Sequence, residues 1–519
     1  MRKKIIVLLV LLLIPACVFA AKFHSVPLEH KAYSFIEIAE IRGIIPVQTD
    51  VKPYNVNTVR NLLSAIANSD RVSGEEKLEI RDMLSDFDSL YGNEPSGLGD
   101  LFKKGYVRTS GKSSATAGGK VSSDSVIGYS TTSEKVLDSR NEVMAYVNGD
   151  ILDYLSYDIN FSVGINRIDL KADILTDLKI NCDGFYMRLL HQGDRLRDLP
   201  DGNIYTGITT LSEVSTSINN DMITARIGTL KRDWGPGMNN LGLSGSARAY
   251  DGFELSINPT SWFSYSVSTG SLGFVSIDTV NGVKWPSENM DKKEGKYYNN
   301  LSIHRVEITP VRGLKFSVWE SVVWRKRFEL SYLNPFAIYM FAQNSLGDYD
   351  NMLAGFDISY TIPGVGKFYL ALGMDELNSF RIFSNPRNII PVQFGAKFSL
   401  DFLNFSELGL QVTYIPAFFG AHYASNDKIF GNVNYTTAYV NKGQPLSYPV
   451  NPDTLELLAN LSSSLGSGWR INCTVKDQMR SAQYATKTTG TDILTHMSYT
   501  GADNGEYKDR NFFGYIWNN

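Results

Sequence analysis

Cysteine and histidine are scarce in this chain, at three and six of 519 residues. Cys17 lies in an N-terminal apolar run, which leaves Cys182 and Cys473. An exported chain permits a disulfide between them, but two thiols so far apart in sequence define no framework. Cys473 shares the apolar side of an alternating segment with Trp469, Ile471 and Val475, which suits an inert thiol facing lipid. There is no Cys/His cluster at ligand spacing, so neither a metal nor a cofactor is expected. Charge of one sign is also scarce: the net value is −4, or −7 without Arg2, Lys3 and Lys4. That mild acidity gives nucleic acid no purchase. After the first twenty residues no apolar run is long enough for a membrane helix. Gly-x-Ser-x-Gly is absent, and no histidine is spaced to place a base beside a nucleophile. The adjacent acids Asp375 and Glu376 would point to opposite faces of a strand, unlike a glycosidase pair. The chain is not expected to be an enzyme.

What is present begins with Arg2, Lys3 and Lys4, the run Ile5 to Ile14, and Val18-Phe19-Ala20. Residues 1–20 therefore read as a signal peptide cleaved before Ala21. Ile14-Pro15-Ala16-Cys17 loosely resembles a lipoprotein box, which would lipidate Cys17, although Pro15 fits it poorly. Residues 21–98 form a small helical domain. Tyr33, Ile36, Ala39 and Ile41 lie at helical spacing, and Gly43 supplies a stop. Val59, Leu62, Leu63 and Ile66 mark a second helix, capped by Asn55 or Asn57. Ser73 and Glu76 have capping-box spacing ahead of Leu78, Met83, Leu84 and Phe87. Three short helices bury little area alone, so they must also pack on something larger.

From Lys103 to Trp517 apolar and polar residues alternate in runs of about ten. Phe263, Tyr265 and Val267 alternate with serines; Leu408, Leu410, Val412 and Tyr414 alternate with Gly409, Gln411 and Thr413. Tyr414, Trp469 and Trp517 suit the aromatic girdles of a membrane barrel. The expected fold is mainly β: residues 99–519 as a closed antiparallel transmembrane barrel of about eighteen strands. Short links at 258–260, 310–313, 363–366, 403–404 and 466–468 alternate with long segments. Short turns are periplasmic in such barrels, which sets 233–242, 275–297, 326–352, 376–389, 416–454 and 479–504 outside the cell.

Arg226 to Gly237, containing Arg232-Asp233-Trp234-Gly235-Pro236-Gly237, crosses to that outer side and turns there by this parity. The segment resembles the signature of the capsule-assembly Wzi family of outer-membrane barrels. Val26-Pro27-Leu28, Tyr33, Ile36-Glu37, Gly43-Ile44-Ile45 and Pro53-Tyr54 resemble that family's N-terminal domain. Glu320 with Tyr332-Leu333-Asn334-Pro335-Phe336, and Asp350-Asn351, resemble its mid-barrel segment. The resemblance covers about residues 25–377. It implies an eighteen-stranded barrel with a periplasmic helical bundle, whose outer loops act as a surface lectin for capsular polysaccharide.

The candidate glycan contacts are Trp234, Arg232, Asp233, Trp285, Tyr297, Tyr298, Tyr423, Tyr435 and Tyr439. An indole beside a stiff Gly-Pro-Gly corner offers a plane to a sugar ring. Asn334-Pro335-Phe336 reads as a loop folded back over the lumen. Expected partners are surface polysaccharide and outer-membrane lipids, the protein being a monomer in the outer membrane of a diderm bacterium. The rival reading is a porin-like diffusion channel, tethered or plugged by its helical domain; the filling of the lumen decides between them.

Overall fold

Polar side chains line the inside of the wall and apolar ones its outside, the reverse of a soluble sandwich. Along one strand Leu155, Ile159, Phe161, Val163 and Ile165 are exposed while Ser156, Ser162 and Gly164 are buried. The computed structural model describes most residues from 23 to 480, together with 493. It leaves out 1–22, 92–105, 169–184, 191–202, 274–298, 376–387, 481–492, 494–519 and some shorter stretches.

Three helices precede the wall: α1 (Ala32–Ile41), α2 (Val56–Ala67) and α3 (Gly74–Tyr91). Asn55 caps α2, its side chain accepting from the Thr58 amide at 2.7 Å. Ser73 and Glu76 cap α3 reciprocally, each side chain accepting from the other's backbone amide. Gly43, at φ +69°, turns the chain after α1. The helices share one apolar core built on Phe35, Ile38, Val59, Leu63, Met83 and Phe87.

The strands are β1 (Val51–Lys52), β2 (Tyr106–Ser110), β3 (Ser113–Tyr129), β4 (Lys135–Ile151), β5 (Leu155–Ile168) and β6 (Phe185–Leu190). Then come β7 (Asn203–Ile218), β8 (Ile223–Leu230), β9 (Asp233–Trp234), β10 (Tyr250–Thr260), β11 (Phe263–Ser271) and β12 (Asn299–Val311). β13 (Leu314–Arg325) is followed by α4 (Leu330–Leu333) and α5 (Tyr339–Leu346), then β14 (Asn351–Ile362). β15 (Gly366–Met374), β16 (Val392–Ser399) and β17 (Glu407–Ile415) follow. The short pieces β18 (Ser425–Asp427), β19 (Val433–Tyr435), β20 (Val440–Asn441) and β21 (Gln444–Pro445) precede β22 (Thr454–Gly466) and β23 (Trp469–Arg480).

One large antiparallel sheet curls into the barrel wall. Pairing runs from β2 through β3, β4, β5, β7, β8 and β10, then in chain order to β17, β22 and β23. β6 also pairs with β7. The segment expected to supply a final strand, 506–517, lies outside the described residues.

The helical domain sits at the end of the wall where the short links are. The Gly364 amide donates to Ile41 O at 2.7 Å, Arg42 Nε to Ser399 Oγ at 2.7 Å, and Asn404 Nδ2 to Glu75 at 3.2 Å. Phe405, from the β16–β17 link, is buried in the helices' own core. The larger surface that these helices need is therefore the inside of the barrel mouth.

The segment after β13 departs from expectation. The sequence pattern reads as a loop over the lumen, whereas the segment lies on the outside of the wall. Trp319 and Val323 face the lumen core, so Glu320, Val322 and Trp324 face outward. Tyr332 and Tyr339 pack on Val322 and Trp324, and Ser302 Oγ donates to Tyr332 O at 2.8 Å. Phe336 stacks on outward-facing Tyr265 with centroids 5.8 Å apart. The reason is an outward cluster of polar and aromatic side chains on the upper wall, which needs cover in a lipid-facing position.

Candidate functional site

Three segments meet in the lumen: the strap 48–52 after α1, the link 231–249 between β8 and β10, and the two ends of the link between β17 and β22, about Phe418 and about Tyr439 to Val450. β1 pairs with β9, Val51 opposite Trp234 and Lys52 opposite Asp233. The Gly235 amide donates to Asp50 O at 3.0 Å and the Trp234 amide to Leu243 O at 2.9 Å. Gly235 has φ +146°, and a Cβ there would lie 2.4 Å from Asn240 Oδ1, so the corner requires glycine. Asn240 holds the turn by accepting from the Gly237 amide and donating to Asp233 Oδ1, at 2.9 and 2.7 Å.

Inward-facing charges of the wall receive these segments. Asp50 pairs with Lys315 at 2.8 Å and Lys367 at 3.0 Å; Glu37 pairs with Lys397 at 2.7 Å. Thr49 Oγ1 donates to Glu307 at 2.6 Å, and Arg305 bridges Glu307 to Asp357 at 2.8 and 2.6 Å. Ser25 donates twice to Glu213, at 2.8 Å from its amide and 2.7 Å from its hydroxyl. Glu213 and Glu254 both contact Arg226 and Arg232. Burial alone would raise the Glu37 carboxyl, but Lys397, Lys52 and Lys367 outweigh it and hold it far below the usual range. Asp50 behaves likewise, with Lys315 and Lys367 overriding burial. Glu40 has no such close cation. Burial pushes it up to about 7, partly opposed by Lys367 and Lys315.

Above this layer the two links pack together. Trp234, Leu241, Leu243, Phe418, Tyr439 and Tyr448 share one buried core with wall residues Trp319, Leu353 and Ile415. The Ser244 amide donates to Leu446 O at 2.9 Å, and the Asn441 side chain donates to Arg248 O and Ala249 O at 3.0 and 2.9 Å. Gln411, on the wall, accepts from the Met238 amide at 2.9 Å. The arrangement packs side chains inside the barrel and fixes the links to its wall.

Four expected sugar contacts are thereby corrected. Trp234 is 2% exposed, and Arg232, Asp233 and Tyr439 are also buried or nearly so. Tyr439 donates to Gly242 O and accepts from Ser321 Oγ, both at 2.9 Å. The Gly-Pro-Gly corner turns inward because β1 offers its backbone a partner and the lumen offers the indole a dry pocket. Trp285, Tyr297, Tyr298 and Tyr423 lie outside the described residues; Tyr435 is placed only by its backbone, in β19. Sequence reasoning missed the charges that grip the strap, although their signal was visible. Lys315, Lys367 and Lys397 each stand on the polar side of an alternating strand, where a serine or threonine would have satisfied the pattern. Among the described residues no group of acids, histidines or cysteines could hold a metal.

An antiparallel barrel with an apolar exterior and a polar interior is the fold of an outer-membrane barrel protein. Among solved structures the chain is similar to Wzi of Escherichia coli, described as an outer-membrane protein involved in group 1 capsule assembly and a carbohydrate-binding β-barrel. The TM-score is 0.52 at 11% identity, covering 92% of this chain and 88% of Wzi. It is also similar to a mutant of the Rh. blastica porin (TM-score 0.33, 7% identity, 70% and 94% covered). For Pseudomonas putida OprB the TM-score is 0.34 at 11% identity, with 73% and 89% covered. No family model matches the chain, and no curated protein does.

Proposed function

We propose that this protein is a closed outer-membrane barrel of about eighteen strands that binds or organises surface polysaccharide without catalysis. Its helical domain lies in the periplasm and its long loops outside the cell. The observation that carries this reading is the filled lumen. A strap, two inward links and their buried ion pairs occupy the space through which a porin would pass solute. The fold shared with carbohydrate-binding Wzi supports the same reading. Binding then belongs to the outermost loops, with Trp285, Tyr297, Tyr298, Tyr423 and Tyr435 as the remaining aromatic candidates.

The test is polysaccharide retention per folded molecule on cells, with heat-modifiable gel mobility reporting folding. Trp285→Ala or Tyr298→Ala should weaken retention by about 1–2 kcal/mol while the barrel stays folded. Trp234→Ala should do the opposite. It removes a buried indole at a cost of about 3–5 kcal/mol in packing and leaves retention per folded molecule unchanged. If the unaltered protein holds no polysaccharide and passes ions steadily, the channel replaces this reading.

A further inference from the structure

The outward segment 327–350 leaves a groove of about 510 Å³ between itself and the wall strands β8, β10 and β11. Ile227 and Phe253 give its lower wall side an apolar surface, and Phe328 and Leu333 line it from the segment. Its upper part, at the strand ends away from the helical domain, is polar: Asp251, Ser271 and Asn300, with Arg327 beside them. We propose that this groove binds one membrane glycolipid, its acyl chain against Ile227, Phe253 and Phe328 and its sugar headgroup against Asp251, Ser271 and Asn300. The assignment rests on the orientation proposed above, which sets the groove in the outer leaflet.

Three observations select that ligand. The groove opens on the lipid-facing side of the wall, since Ile227 and Phe253 alternate with inward Arg226 and Glu254. The segment beside it is itself an interfacial element, because its Phe328, Leu330, Phe336 and Phe341 are all exposed. The rim, finally, suits hydroxyl groups better than a phosphate. Arg327 is already matched by Asp350, at 3.0 and 2.6 Å, and by Glu329 at 3.5 Å, while Asp251, which accepts from Thr229 Oγ1 at 2.8 Å, keeps its carboxylate exposed. With Ser271 Oγ donating to Asn300 Oδ1 at 3.5 Å, the exposed rim presents a carboxylate, a hydroxyl and an amide, the groups that bind sugars.

Native mass spectrometry of the full chain, exchanged into detergent with an acylated glucosamine disaccharide stripped of its phosphates (dephosphorylated lipid A) or with phosphatidylethanolamine, tests this. The unaltered protein should retain one glycolipid. Ser271→Trp, which fills the groove, should bind it about tenfold more weakly. Val311→Trp, of equal bulk at the other end of the wall, should bind normally. Equal retention of phosphatidylethanolamine, no retention by the unaltered protein, or normal retention by Ser271→Trp at normal gel mobility would each overturn the assignment. Whole-cell labelling of Ser345→Cys with an impermeant thiol reagent checks the orientation separately. Loss of polysaccharide binding with glycolipid retention intact would remove the proposed function and leave the groove.

Discussion

Glu40 shows how one residue can report on docking of the helical domain. Its carboxyl is buried in α1 and accepts from the Gln48 amide at 3.0 Å, and it borders a cleft with Trp262 and Arg312 at the short-link end. Burial raises it to about 7 from an ordinary 4.5. A carboxyl raised on docking favours the docked state fully below about pH 4.5, and that contribution is lost as pH rises through about 7. The loss amounts to about 3 kcal/mol. Glu40→Gln keeps an acceptor for Gln48 and cannot ionise. Hydrogen exchange of α1 should therefore be slower in Glu40→Gln than in the unaltered protein at pH 8, and equal at pH 4.5. A difference independent of pH would show that Glu40 is not the titrating group.

At the scale of elements, the outward segment depends on a carboxylate pointing at lipid. Glu320 accepts from the Tyr339 amide at 2.7 Å and the Met340 amide at 3.4 Å, capping α5. Its other contact is His304 Nε2 at 2.8 Å, and the His304 ring stacks on Tyr339 with centroids 4.5 Å apart. A charge in such a position is tolerated only with its partners in place. Glu320→Ala removes a charged cap, worth about 1–2 kcal/mol. Limited proteolysis should then cut within 327–350 faster while barrel mobility on gels is unchanged. Unchanged protection would mean that aromatic packing alone holds the segment.

For the whole molecule, the filled lumen predicts low conductance. The reconstituted full chain should pass few ions. Deleting residues 24–92 removes Glu37 and Asp50 from their lysines and β1 from β9, and steady conductance should appear. Planar-bilayer recordings decide this. A full chain as conductive as the deletion would mean that the strap and links do not seal the barrel.

Much of this architecture could be read from local pattern. Period-two alternation sets which side chains share a face, whatever the rest of the chain does. That is why Ile159, Phe161 and Val163 face outward and Ser162 inward, and why the short links were recognisable between them. Capping is equally local, so Asn55 and the Ser73–Glu76 box were legible. The direction in which the long links fold was not. Gly-Pro-Gly makes the same stiff corner turned outward or inward. Trp234 goes inward only because Val51, far away in sequence, brings it a strand and Asp50 an acceptor. Lys315, Lys367 and Lys397 likewise meet Glu37 and Asp50 only once three strands and a helix share one mouth. The sequence by itself determined the strands, their faces and the helix caps, since those depend on neighbours a few residues away. The tertiary structure alone decided that the strap and two links pack inside the wall and that one segment covers its outer face, since both rest on contacts that exist only after the wall has curled.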